Sequence, residues 1–404
     1  MNKEPLLFLC HRIPFPPNKG DKIRSFNILK KLSEQFDVHL GCFIDDPYDE
    51  QFSGSLEDYC RSVFCLNQNK TIAKVKGLKA FLTGQAITLP YYFDRNMQQW
   101  VQQTVASYDI KKVFIYSSSM AQYCESAEYE SMNKVIDFVD VDSDKWRQYA
   151  ENKSGIARWV YNREYQKLAS YEDKICHAFN HSVFVSPDEA ALFAKRQPIS
   201  EQAKVHGILN GVDIEFFNPV ANFEQESMIP NGSFISFTGA MDYWANVEAV
   251  VWFAENVWPK IHQAYPELLF YIVGGNPSTE VESLAQHSGI VVTGRVHDIR
   301  PFIAKASCSV APIRIARGIQ NKVLEAMALA KTVVLTPMAA EGISFPEQQK
   351  KLIIDDSDEF AQAVISVLEH PDSAQSIGHE NRIWMEEHYQ WKSVLEPLLS
   401  LLKE

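Results

Sequence analysis

Pro312-Ile313-Arg314-Ile315-Ala316-Arg317-Gly318-Ile319-Gln320-Asn321-Lys322-Val323-Leu324-Glu325-Ala326-Met327-Ala328 is the stretch that decides how this chain folds. Residues 306–310 before it and 331–336 after it are short apolar runs that read as strands. Between them lies one helix, starting near 318–321, with Val323, Met327 and Ala330 recurring at helical spacing. A strand, loop, helix and strand in that order imply parallel strands joined by a helical crossover. Ligands of such sheets bind at the carboxyl ends of strands, where the loop meets the helix N-terminus. The free N–H groups and the helix dipole there favour an anion, typically phosphate. This loop brings Arg314, Arg317 and Lys322 to that end, and Glu325 shares a helical face with Lys322. The cations suit a diphosphate and the carboxylate suits ribose hydroxyls. A solvated Lys–Glu pair on a surface helix fits the same spacing equally well.

At 404 residues the chain is too long for one ordinary core, so two domains are expected. Apolar residues make up 46% and charged residues 22%, a globular composition. A net charge of −12 argues against nucleic acid as a partner. There is no apolar run long enough to span a bilayer. Residues 6–10 are too short for a signal peptide and read as a first strand. The seven cysteines, at 10, 42, 60, 65, 124, 176 and 308, have no CxxC spacing and no accompanying His cluster. They read as reduced, mostly buried thiols of a cytoplasmic protein.

In the first half, strand 6–10 leads through a loop to a helix at 22–32, with Gly20 and Asp21 at the junction. A glycine there lets backbone approach a ligand closely. The dinucleotide fingerprint GxGxxG is absent. Further strands are expected at 38–43, 63–66 and 113–116, and from 135 into Asp140-Val141-Asp142. That DxD invites a metal reading, but the phosphate-binding signature lies far downstream. A polar side chain ending a buried strand is either functional or bonded to the adjacent loop. Residues 70–82 form a basic amphipathic segment with Ile72, Val75, Leu78, Phe81 and Leu82 as its apolar set. It suits an anionic membrane surface, or alternatively a core-packing helix with its lysines in water, and Gly77 weakens it. A helix at 157–177 and a strand at 182–186 follow. Asn210-Gly211-Val212-Asp213 is then a turn signal, and polar 219–232 reads as a linker. The second half repeats the β–α alternation. It runs from strand 233–237 and Gly239, through helix 246–265 and strand 268–273, to 291–294 followed by Arg295. Strand 352–354, a helix from 359 and an amphipathic tail 384–402 complete it.

Gly318…Lys322-Val-Leu-Glu325-Ala-Met-Ala, with Thr332-Val-Val and Glu341-Gly342-Ile343, resembles the donor-site signature of retaining GT-B glycosyltransferases of family four, the glycosyl transferases group 1. The Asn210-Gly-Val-Asp and Gly294 segments extend the resemblance, which spans most of the chain. The family shows Glu-x7-Glu. Glu325 matches the second Glu, which binds ribose, and Arg317 stands at the first. That arginine version resembles sugar transferases associated with bacterial exopolysaccharide loci. The resemblance implies an α/β GT-B fold, with two Rossmann-like domains facing a cleft and a C-terminal helix crossing back to the first. It implies an acceptor-side domain at 1–218 with tail 385–404, a linker at 219–232, and a donor domain at 233–384. Donor-binding residues would be Gly20, Gly239, Arg295, Arg317, Gly318, Lys322 and Glu325. The Arg and Lys that often follow the family's glycine at 239 are replaced by Ala-Met-Asp-Tyr-Trp-Ala-Asn. Asp140 falls where the family has a cleft histidine, which makes it the candidate catalytic residue, with Asp142 as the alternative. The implied reaction moves a sugar from a nucleotide-diphosphate sugar to a glycan or lipid-linked acceptor with retention, without metal or cofactor. A GT-B sugar-nucleotide epimerase and a non-catalytic nucleotide-binding assembly protein are the alternatives. The expected location is the cytoplasm, with peripheral contact at the inner membrane face through 70–82.

Overall fold

The computed structural model describes residues 3–151, 153–223, 228–229, 232–315 and 318–403. The chain divides into two compact units, Met1–Leu209 with Leu395–Glu404, and Asn210–Val394.

The first unit is built on seven strands: β1 (Glu4–Cys10), β2 (Phe36–Ile44), β3 (Ser62–Asn67), β4 (Lys112–Tyr116), β5 (Asn133–Val139), β6 (His181–Phe184) and β7 (Val205–Gly207). They lie in the order β3-β2-β1-β4-β5-β6-β7, and every pairing is parallel. Leu6 to Cys10 are wholly buried, as expected of a central strand covered by helices on both faces. Leu7, Leu9, Ile115, Ile136 and Phe138 share one core with Met97, Val101 and Ile175 from the covering helices. The helix Gly20–Ser33 crosses from β1 to β2 and buries Ile28, Leu29 and Leu32. It also buries Arg24, whose Nε donates to Asp137 on β5 at 2.8 Å. A buried guanidinium needs such a partner. The last helix, Glu396–Lys403, buries Leu398, Leu399, Leu401 and Leu402 in this unit. Lys112 Nζ and Asn133 Nδ2 donate to the carbonyls of Leu402 and Leu401 at 2.6 and 3.0 Å.

The second unit has five strands: β8 (Phe234–Thr238), β9 (Leu269–Val273), β10 (Ile290–Gly294), β11 (Ser309–Ala311) and β12 (Val333–Leu335). Their order is β10-β9-β8-β11-β12, again all parallel. Each sheet therefore reverses its winding beside its own first strand, between β1 and β4 and between β8 and β11. That switch point opens a crevice at the strand carboxyl ends.

Several expectations change. Residues 352–354 form a single bridge, Leu335 with Ile353, rather than a strand. β7 was not anticipated, since Val-His-Gly is too short to show a pattern. The expected helix 246–265 is two helices, Trp244–Asn256 and Trp258–Ala264, the second with Pro259 in its first turn, which has no N–H to continue the first. Residues 210–218 and 385–394 belong to the second unit. The Val212 N–H donates to Tyr389 O at 2.7 Å, and Arg382 of the helix Pro371–His388 donates to the carbonyls of Ile214 and Phe217.

Candidate functional site

In the second unit, glycines clear the carboxyl edge of the sheet. The Gly239 N–H donates to Val273 O at 3.0 Å. A Cβ on Gly274 would stand 1.6 Å from Gly239 O, so only glycine allows this approach. A Cβ on Gly239 would stand 2.7 Å from Asn246 Nδ2. Met241 N–H donates to Gly275 O at 2.9 Å, and the Arg295 side chain lies beside Gly275. Gly239, Gly274, Gly275 and Arg295 thus share one rim.

Gly318, at φ 73°, turns the chain before the helix Asn321–Ala328. Asn210 Nδ2 donates to Asn321 Oδ1 at 3.1 Å, tying the Asn-Gly-Val-Asp turn to the start of that helix. Val323, Leu324, Ala326, Met327 and Ala328 are buried, which pulls Glu325 inward as well. Lys322 Nζ donates to Asn246 Oδ1 at 2.6 Å and lies 4.8 Å from the centroid of the Phe237 ring. Asn246 Nδ2 donates to Ala240 O at 2.9 Å, which leaves the amide oxygen turned to the lysine. Burial pushes Lys322 down to about 8 against the charge of Glu325. Burial likewise pushes Glu325 up to about 7 against the charge of Lys322. A partly buried lysine and a buried carboxyl displaced this far are typical of a site that a charged ligand completes.

Of the other cations expected here, Arg317 lies outside the described residues. Arg314 lies over the Trp252 ring at 4.7 Å and donates to Asp355 O at 3.5 Å. Sequence reasoning missed Asn246 and Phe237. The available signal was an asparagine in the first turn of the helix that follows Gly239, since a partly buried lysine elsewhere needs an acceptor.

In the first unit, Gly20 opens its helix and Asp21 follows in the first turn. Asp21 pairs with Arg12 and lies 3.6 Å from His11 Nε2, while Arg12 Nε lies 2.9 Å from Asp45. Tyr116 donates its hydroxyl to Asp21 O at 2.8 Å, and its ring stacks on His11. Burial would raise the Asp21 carboxyl, but the His11 hydrogen bond and the Arg12 charge hold it well below the usual carboxylate range. This network occupies the carboxyl ends of β1, β2 and β4. Sequence reasoning took Gly20 and Asp21 from it but neither His11 nor Arg12.

β5 ends at Val139, which has φ 71°, an uncommon conformation for a β-branched residue. The Asp137 carboxylate supports the turn by accepting from Val139 N–H at 2.9 Å. Asp140 follows the turn, and Asp142 opens the helix Asp142–Glu151. Contrary to expectation, the two are therefore not neighbours along an extended strand. Lys145 brings them together instead, with Nζ 2.8 Å from Asp140 and 3.1 Å from Asp142. Burial would lower Lys145, but the two carboxylates hold it well above the ordinary lysine value.

Each unit is a parallel α/β sheet with the same winding, and each gathers charged side chains at strand carboxyl ends; the two units have the GT-B fold. Residues 232–370 match the family model described as glycosyl transferases group 1. An Anabaena protein, HepE, solved in complex with UDP and glucose, superposes with a TM-score of 0.67 at 15% identity, covering 99% of both chains. Sucrose-phosphate synthase from Thermosynechococcus elongatus gives 0.68 at 16% identity, over 99% of this chain and 98% of that one. In sequence, an uncharacterized 44.6 kDa protein in the cps region of Klebsiella pneumoniae is 20% identical over 97% of both chains. Alpha-maltose-1-phosphate synthase of Mycolicibacterium smegmatis is 25% identical over 51% of this chain and 58% of its own.

Proposed function

We propose that this protein is a retaining glycosyltransferase that moves a sugar from a nucleotide-diphosphate sugar to a glycan or lipid-linked acceptor in polysaccharide biosynthesis. The observation that carries this reading is the partly buried Lys322 with the buried Glu325 beside the glycine rim of β8 and β9. The rim lets a diphosphate approach the backbone. Lys322, the N-terminus of its helix and Arg295 take up phosphate charge, which grows as the sugar–phosphate bond breaks. Glu325 accepts the ribose hydroxyls. Asp140 acts on the sugar or the acceptor hydroxyl, as a hydrogen-bond partner or general base. The cps-region relative supports a polysaccharide setting, and the UDP complex of HepE supports a nucleotide donor.

The test is calorimetry with UDP-, GDP- and ADP-sugars, followed by acceptor-dependent release of nucleoside diphosphate and NMR of the product anomer. Glu325→Ala is expected to weaken the donor by about 1.5–3 kcal/mol, the scale of a charge-assisted hydrogen bond. Lys322→Ala is expected to weaken the diphosphate donor more than the bare nucleoside. Unchanged donor affinity in both variants removes this site. Turnover of the nucleotide sugar without any acceptor points to an epimerase instead.

A further inference from the structure

The segment 70–82, expected as one amphipathic helix, is two: Lys70–Leu78 and Ala80–Thr83. It packs on the first unit with its small residues. Ala73, Gly77 and Ala80 are buried on one helical face, and a Cβ on Gly77 would stand 3.0 Å from Ile87. The large apolar residues of the same segment face water instead. Ile72, Val75 and Leu78 are each more than half exposed, and Leu82 is 91% exposed. The core therefore does not account for them.

A second element continues this surface. The helix Gly155–Ala178 begins with Ile156, 82% exposed, and Trp159, also more than half exposed. The Trp159 ring stacks on Phe81 at 6.2 Å between centroids. Arg163 lies over the other partner of that stack, Phe81, at 4.7 Å, and donates to the carbonyls of Ala80 and Gln85. These contacts fix the two elements to each other, so Ile72, Val75, Leu78, Leu82, Ile156 and Trp159 belong to one assembled surface. A single large apolar residue in water is ordinary, whereas such a group marks an interaction site.

The charge says what covers it. Residues 69–84 and 153–163 contain Lys70, Lys74, Lys76, Lys79, Lys153, Arg158 and Arg163 and no Asp or Glu, in a chain of net charge −12. Lys76 reaches Asp94 at 3.4 Å and Lys70 stands 3.9 Å from Asp45, while Lys74 and Lys79 are exposed. A second copy docked face to face would set cations against cations. Lysines flanking aliphatic side chains and a tryptophan match an anionic lipid surface: the hydrocarbon enters the acyl boundary, and the ammonium groups stay with the headgroups. No helix among the described residues is long and apolar enough to cross a membrane.

We propose that this composite surface, formed by 70–82 and the start of the helix Gly155–Ala178, docks the protein on an anionic bilayer. The test is co-sedimentation of the full chain with vesicles of phosphatidylcholine, alone or with about one-third phosphatidylglycerol. Wild-type protein is expected to bind the anionic vesicles at least about tenfold better than the neutral ones. Leu82→Glu with Ile156→Glu, and separately Lys74→Glu with Lys79→Glu, are each expected to lose about tenfold on anionic vesicles. All four side chains are exposed, and unchanged thermal melts check that the variants fold. Wild-type binding that ignores phosphatidylglycerol, or variants that bind like wild type, overturn the proposal. So does an oligomer in size exclusion that Leu82→Glu dissociates, because the surface would then cover a second copy.

Discussion

Lys322 and Glu325 carry opposed demands. Donor binding needs the lysine protonated and the carboxylate ionised, and burial displaces both, to about 8 and about 7. Below pH 7 Glu325 takes up a proton and loses its strongest acceptor form; above pH 8 Lys322 gives its proton up. Affinity for a nucleotide sugar, whose diphosphate diester carries no proton in this range, is expected to peak between those values. It should fall by up to about tenfold per pH unit on each side. Calorimetry across pH checks this: Glu325→Gln is expected to flatten the acidic limb and Lys322→Met the alkaline one. A flat wild-type profile contradicts the assignment. This pair was legible in the sequence because a spacing of three fixes two side chains on one face of any helix. Asn246 was not, because it reaches Lys322 from 76 residues away through the packing of two crossover helices.

Among the elements, the strands β1, β4 and β9, with their continuous apolar runs, could be read directly, since burial on both faces leaves no alternation to misread. The junctions could not. At the end of β5 a valine in a left-handed conformation redirects the chain, and Asp140 emerges just ahead of a helix, whose Lys145 holds it. A strand running through Asp140 to Asp142 did not show that Asp142 opens a helix, whose Lys145 reaches both carboxylates. The segment 70–82 failed in a similar way: its period was visible, but the face that packs is the one with Ala73, Gly77 and Ala80. Asp140→Asn keeps the shape of the junction while removing a charge from Lys145. It is expected to leave donor affinity nearly intact and to lower turnover by about 100-fold or more, the size of a general-base contribution. Full turnover in that variant removes Asp140 from the mechanism. Activity is expected to persist in chelator, because Lys322 already meets the diphosphate, and its loss there would restore a metal role for the Asp140 and Asp142 pair.

At the scale of the whole molecule, two α/β units followed from the length and from the β–α alternation on both sides of a polar stretch. The points where the chain changes unit did not. Asn210 to Phe217 is held by a backbone hydrogen bond to Tyr389 and by the Arg382 side chain, which a sequence pattern does not reveal. The return comes at Leu395, where ten residues complete the first unit with four buried leucines and two carbonyls that accept from Lys112 and Asn133. Burying a leucine is worth about 1.5–3 kcal/mol, so four approach the whole stability of an ordinary domain, about 5–15 kcal/mol. A chain ending at Val394 is therefore expected to lose the cooperative melting of its first unit. The second unit, which keeps its own sheet and the Lys322 site, should still melt as a unit and still bind the nucleotide. Scanning calorimetry of the full and shortened chains, each with and without a nucleotide sugar, separates the two: the transition that survives shortening should be the one the ligand raises. An unchanged first transition would mean that the tail only decorates the sheet it covers. Loss of both transitions would mean that the second unit depends on the first for its fold.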